Sequence, residues 1–305
     1  MTNLDCLVSQ EVTAHGGQGP SRQTGPAARP GQPADRASRQ TGALHAGNMP
    51  QVSHPILPGA EPFSHRASSK GVLVLHGFTG NPQSMRPLAD ALASRGYSVE
   101  LPLLPGHGRA IEDMLGTRFT DWASGAQAAL ADLRSRCDAV AIASLSMGGT
   151  IACLLAENDG AISGLALVNP LLDPPAESFR DILRGLLDSG TEVAPGVGSD
   201  IAKPGSTELA YEGTPIAAVL SLFEGVDEVA ARLGEISCPV LLLSSRNDHV
   251  VPSSSGDLLV ERASGPVERV WLERSYHVAT LDFDAEVVTS KVVEFVGAVL
   301  GGAQV

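Results

Sequence analysis

From residue 70 onward, short and wholly apolar runs alternate with amphipathic stretches, and this alternation narrows the possible folds more than any other feature. Residues 71–75 (GVLVL) read as a buried strand ending in His76-Gly77. Residues 82–96 place Met85, Leu88, Ala89 and Leu92 at helical spacing, with Gly96 as the stop. Strands are predicted at 97–104, 139–145, 162–168, 240–244 and 267–272. Helices are predicted at 120–136, 147–157, 255–262 and 286–300. Strands apolar on both faces, separated by helices, imply an α/β class: a mostly parallel sheet with helices on both sides. Active sites of such sheets lie at the carboxyl ends of the strands.

The alternation fails at both ends of a pattern. Residues 1–68 are rich in Gly, Pro, Ser, Gln and Arg, and repeat SRQTG at 21–25 and 38–42. Such a stretch cannot bury enough apolar surface to offset its ordering entropy, so most of it is expected to be disordered. Met49 opens MPQVSHPILPGAEPF, which reads as a natural start, so residues 1–48 are expected to be an upstream extension. The folded domain is then 69–305. Within it, about 171–234 (PLLDPP, APGVG, KPGS) holds only weak helical stretches and reads as a cap inserted over the carboxyl edge.

Charge and cysteine usage exclude several roles. With 21 Lys+Arg against 34 Asp+Glu, the net charge of −13 repels phosphate backbones, so no nucleic-acid partner is expected. Four scattered cysteines form neither a disulfide framework nor a metal-spaced cluster, and they imply a reducing, cytoplasmic compartment. The first residues lack the pattern of a signal peptide, and no apolar run is long enough for stable membrane insertion. Oligomeric state is not encoded legibly.

Chemistry enters at Ser144-Leu145-Ser146-Met147-Gly148-Gly149, between a predicted strand and a predicted helix. A tight strand-to-helix turn lifts a serine hydroxyl above the sheet, and the residues two positions either side must be small. Gly148 meets this; Ser144 stands where glycine is usual, and modest crowding is expected. Framing the turn on Ser144 leaves no flanking glycine, which makes Ser146 the better nucleophile.

A serine hydroxyl needs a base, and eight histidines are present. His277 follows the last predicted strand, at the edge where Ser146 sits. Asp248, just after residues 240–245, is the candidate acid that fixes the base's tautomer. Asp257, Asp282 and Asp284 fall in or near helices and are weaker candidates. The oxyanion donors expected are the N–H of Met147, at the positive end of its helix, and of Phe78 in the loop after the first strand. His76 is expected to brace that loop rather than catalyse.

The blocks LHGFTGNPQSMRPLADAL, LPLLPGHG, LSMGGT, RNDHVVP and SYHVATLDFD, with the cap stretch VGSDIAKPGSTELAYEGTP, together resemble the bacterial monoacylglycerol lipases and their small carboxylesterase relatives over residues 55–300. The resemblance implies the α/β-hydrolase fold, a small mobile cap and no cofactor or metal. It maps the triad onto Ser146, Asp248 and His277 and the oxyanion donors onto Phe78 and Met147. Ser144 and residues 1–48 depart from the pattern.

The expected activity is hydrolysis of monoacylglycerol or similar acyl esters through an acyl-enzyme. Leu171, Leu172, Ile182 and Leu186 are candidates to line an acyl site, although their facing is not fixed. General carboxylesterase, thioesterase or acyltransferase chemistry uses the same triad, and fold does not separate them. An inactive, hydrolase-like binding module is the non-enzyme alternative; retention of all three triad candidates argues against it. A dehalogenase would need a carboxylate where Ser146 stands.

Overall fold

A computed structural model of the protein describes residues 54–196 and 198–301. Its central sheet has seven strands in the order β1-β3-β2-β4-β5-β8-β9. These are β1 (Phe63–His65), β2 (Lys70–Leu75), β3 (Ser98–Leu101), β4 (Ala139–Leu145), β5 (Ile162–Val168), β8 (Val240–Ser245) and β9 (Val267–Leu272). Only β1 runs antiparallel, against β3; the other pairs are parallel.

The apolar strands divide their side chains between two cores, as a two-residue period requires. Leu73, Leu75, Val140, Ile142, Leu165, Leu167 and Leu242 face one core. Val72, Val74, Ala141, Ala143, Ala166, Val168 and Leu243 face the other. Helices α1 (Arg86–Ser94) and α8 (Ala285–Leu300) cover the second face, through Leu88, Ala89 and Leu92 and through Val288, Val292 and Val296. A short α2 (Ile111–Leu115) leads into α3 (Phe119–Arg134), which with α4 (Met147–Glu157) covers the first face through Leu130, Leu133, Ile151 and Ala152. Leu259 of α7 (Ser254–Arg262) joins the same core.

Chain order reverses between β2 and β4. From β2 the chain steps to β3 on one side, then returns to place β4 on the other. The loops leaving β2 and β4 therefore diverge and open a crevice at their carboxyl ends.

Two boundaries differ from the sequence reading. The fold begins before residue 69: β1 pairs with β3, Ala60 is fully buried, and the Leu57 N–H donates to the carbonyl of Gly108 at 2.9 Å. A three-residue edge strand between Pro- and Gly-rich stretches is too short to show a period. The part of the expected disordered segment before residue 54, with the proposed extension, lies outside the described residues. The expected insertion 171–234 also divides in two. Its second half is α6 (Ile216–Arg232), a long helix whose Ala218, Leu222, Val226 and Val229 enter the main core. The cap proper is α5 (Glu177–Asp188) and an antiparallel ribbon of β6 (Val193–Pro195) and β7 (Gly213–Pro215). Buried Arg180 pins α5 to α6 by pairing its two terminal guanidinium nitrogens with Asp227. Among the described residues, no helix is long and apolar enough to cross a membrane.

Candidate active site

Ser146 lies at the turn between β4 and α4 with φ 54° and ψ −120°, a conformation non-glycine residues rarely adopt. The surroundings hold it there. Its N–H donates to the carbonyl of Val168 at 3.0 Å, and its carbonyl accepts from the N–H of Gly149 at 2.8 Å. Gly148 is required by close approach, since a Cβ there would sit 2.6 Å from the Leu75 carbonyl oxygen. Ser144 is fully buried on β4, and its hydroxyl has no hydrogen-bond partner among the described residues. The departure from glycine thus costs an unsatisfied hydroxyl.

His277 is fixed at three points by three other segments. Its ring Nδ1 lies 2.8 Å from Oδ2 of Asp248. Its N–H donates to Asp200 Oδ2 at 3.0 Å, and its carbonyl accepts from Asn169 Nδ2 at 2.7 Å. The Asp248 carboxylate is itself oriented, because Oδ1 accepts the N–H groups of Val250 and Val251, both at 2.8 Å. Both side chains are nearly inaccessible to solvent. Burial works against the charged imidazolium, yet Asp248, by charge and hydrogen bond, together with Glu208 and Asp200 outweighs it and raises the His277 pKa above 6.5.

The loop after β2 is braced as expected of His76. Its Nδ1 lies 2.9 Å from the Gly77 carbonyl, and its Nε2 accepts the Leu104 N–H at 3.2 Å. These partners fix the neutral Nδ1–H tautomer, and burial lowers the pKa to about 4. The Phe78 ring packs on Trp122. A Cβ added to Gly77 would lie 3.4 Å from Ser146 Cβ, so the two loops meet across the crevice. Met147 opens α4, where the first N–H groups have no carbonyl inside the helix.

A cavity of about 400 Å³ joins these parts. Ser146, Phe78 and His277 line it, together with Leu171, Phe179, Ile182, Leu183 and Leu186. Leu172 does not, being buried in the main core. Two acidic residues the sequence reading missed, Glu208 and Asp200, also border the cavity. Burial raises the Glu208 pKa, against the pull of His277's charge and the Ser84 hydroxyl. Its carboxylate rests on the loop after β2, where a Cβ on Gly80 would come within 2.6 Å of Oε1. Both acids sit in the cap stretch VGSDIAKPGSTELAYEGTP, and no local spacing distinguishes them there.

The weaker acid candidates have other tasks. Asp257 is exposed and pairs with Arg269 at 2.5 Å. Asp282 accepts the N–H groups of Ala202, Lys203 and Tyr276, and Asp284 those of Arg274 and Ser275. His249 pairs with Asp200 at 2.8 Å.

Residues 66–284 match the family described as "Serine aminopeptidase, S33". The chain belongs to that family. This α/β-hydrolase is 42% identical over 245 residues to the thermostable monoacylglycerol lipase of Bacillus sp. (strain H-257), spanning 79% of this chain and 96% of that protein. It is 26% identical over 238 residues to a carboxylesterase of Bacillus subtilis (strain 168), spanning 77% of this chain and 95% of that one. Among solved structures, one from a study of LipS and LipT, two metagenome-derived lipolytic enzymes, superposes with a TM-score of 0.77 at 38% identity, covering 80% of this chain and all of the other. The monoacylglycerol lipase of Paleococcus ferrophilus shares the α/β-hydrolase fold, with a TM-score of 0.60 at 18% identity over 78% of this chain and 99% of its own.

Proposed function

We propose that this serine ester hydrolase cleaves monoacylglycerols and similar single-chain acyl esters, with Ser146 as nucleophile, His277 as base and Asp248 as its orienting acid. One observation carries the substrate class. The cavity that reaches Ser146 is apolar along the cap apart from Thr214, and its two charged lining residues, Asp200 and Glu208, stand beside His277. One acyl chain fits the apolar part, and a small polyhydroxylic alcohol fits the polar end. A second acyl chain would have to lie against the Glu208 carboxyl.

The proposed chemistry runs through these residues in turn. Ser146 Oγ bonds to the ester carbonyl carbon as its proton passes to His277 Nε2. Asp248 keeps the ring in the Nδ1–H tautomer and stabilises the imidazolium. The N–H groups of Phe78 and Met147 receive the oxyanion. Collapse of the tetrahedral species breaks the bond to the alcohol, which leaves with the proton from His277. Water then attacks the acyl-enzyme by the same route, releasing the fatty acid and restoring Ser146. The three free cysteines among the described residues favour a reducing, cytoplasmic setting.

The test is fatty-acid release from a medium-chain monoacylglycerol, compared with the matching diacylglycerol, an ethyl ester, a thioester and an aminoacyl anilide, with Ser146→Ala in parallel. Strong preference for the monoacylglycerol, abolished in the variant, supports the reading. Equal rates on the ethyl ester would reduce it to a general carboxylesterase, and preference for the thioester or anilide would replace it. Activity that survives in Ser146→Ala would overturn the mechanism.

A further inference from the structure

Asp200 lies where the chain leaves the cap and returns to the sheet edge, and it is buried. One oxygen, Oδ2, accepts the N–H of His277 at 3.0 Å and the N–H of His249 at 3.2 Å. The other, Oδ1, meets His249 Nδ1 at 2.8 Å, and the Asp200 carbonyl accepts the N–H of Val278 at 3.1 Å. A single carboxylate thus ties the loop after β8, which carries Asp248, to the loop after β9, which carries His277. Asp282 completes a reciprocal exchange. It lies beyond His277 and accepts the N–H groups of Ala202 and Lys203, at 2.7 and 2.9 Å, from the segment that Asp200 begins. A buried carboxylate is costly without such partners, and Asp200 has three hydrogen-bonded groups on two loops. The charged groups facing His277 are Asp248, Glu208 and Asp200, and His249 Nδ1 meets the Asp200 oxygen that His277 does not use.

We propose that Asp200 is a positioning residue for the catalytic base: from the cap's return segment it fixes the backbone of His277 and of His249, and so couples the seating of the cap to the alignment of His277 with Asp248. The inference rests on the reading of Ser146, His277 and Asp248 as the triad. It adds that the catalytic pair is aligned by a fourth residue, which belongs to the cap.

Three variants of the full chain, Asp200→Ala, Asp200→Asn and Asp200→Glu, separate charge from position. The readouts are kcat and KM on a soluble p-nitrophenyl ester, kcat/KM against pH, labelling by a fluorophosphonate, and thermal midpoint. Asp200→Ala is expected to lower kcat about 100-fold with KM within about twofold, since the N–H groups that hold His277 and His249 lose their acceptor. Asp200→Asn keeps an acceptor without the charge; it should recover at least fivefold of that loss and move the acid limb of kcat/KM to lower pH. Asp200→Glu keeps the charge but displaces it; kcat should fall while the acid limb stays.

A folded Asp200→Ala or Asp200→Asn with unchanged kcat and an unmoved acid limb would overturn the inference. So would a loss confined to KM, which would make Asp200 a substrate contact. Asp200→Asn keeps the side chain's shape, so its failure to fold would count against positioning and mark Asp200 as a folding residue. If the unaltered protein is folded yet neither turns over ester nor takes the label, the triad reading itself fails.

Discussion

His277 Nδ1 lies 2.8 Å from Asp248 Oδ2, while the other oxygen of Asp248 is already occupied by two peptide N–H groups. The acid cannot rotate without breaking both of those bonds, so it presents a single oxygen to the base. Asp248→Asn preserves the shape but puts an amide where the ring needs an acceptor. We expect kcat to fall about 10⁴-fold with little change in KM, as loss of the orienting carboxylate does in triad enzymes. Steady-state kinetics on a p-nitrophenyl ester would check it, with fluorophosphonate labelling slowed in parallel.

The pH dependence of activity should follow His277. In the proposed mechanism His277 must be neutral to accept the serine proton, and its pKa is raised above 6.5. Activity is therefore lost as pH falls through a value on the alkaline side of 6.5. Glu208→Gln removes one of the charges that raise it, so the acid limb of kcat/KM should shift to lower pH. KM for a monoacylglycerol should rise about tenfold if Glu208 hydrogen-bonds the glycerol, and KM for a simple ethyl ester should not. Profiles on the two substrates separate these effects.

Stability should fall on the alkaline side because of Glu157. Its side chain on α4 is inaccessible, neither oxygen has a hydrogen-bond partner among the described residues, and the nearest Arg232 nitrogen is 4.0 Å away. Burial raises its pKa from 4.5 to about 8. A carboxyl raised in the folded state favours folding while neutral; that stability is complete below pH 4.5 and is lost as pH rises through 8. The loss is on the order of 3 kcal/mol by pH 9. Urea midpoints at pH 5.5 and 9 should show it in the unaltered protein and not in Glu157→Gln.

Ser144→Ala should stabilise. It removes a buried hydroxyl that has no partner and keeps a side chain on β4. The gain expected is about 1 kcal/mol, seen as a higher urea midpoint with unchanged kcat. Ser144→Gly restores the usual residue but loses most of that gain to backbone entropy in the strand.

The sheet was legible because its strands are apolar on both faces; residues 139–145 and 162–168 read as strands at the bounds of β4 and β5. Ser146, Asp248 and His277 could be placed at one sheet edge from the sequence because each lies in the loop that leaves a strand, where chain order alone brings loops together. Position in sequence carried no such information for Asp200 and Glu208, and Asn169, although it follows β5 directly, is not a residue type that triad chemistry singles out. The partners of Asp200, Asn169 and Glu208 lie 77, 108 and more than 100 residues away, and short-range pattern does not report contacts of that span. For α6 the failure was of another kind. Its buried residues point into two cores, the main one and the cap's own, through Ile216, Val219 and Phe223. A helix apolar on more than one side loses the single stripe that marks a surface helix.

The return segment from Asp200 to Tyr211 is stitched along its whole length: to the base loop through Ala202, Lys203 and Ser206, and to the loop after β2 through Asn81, Gln83 and Thr79. The cap therefore has a sewn hem and a replaceable panel. Residues 174–196, anchored to α6 through Arg180, make no hydrogen bond to His277 or Asp248 among the described residues. If the proposed acyl site is right, an exchange of that panel should alter acyl-chain preference, and the hem marks where a graft should stop.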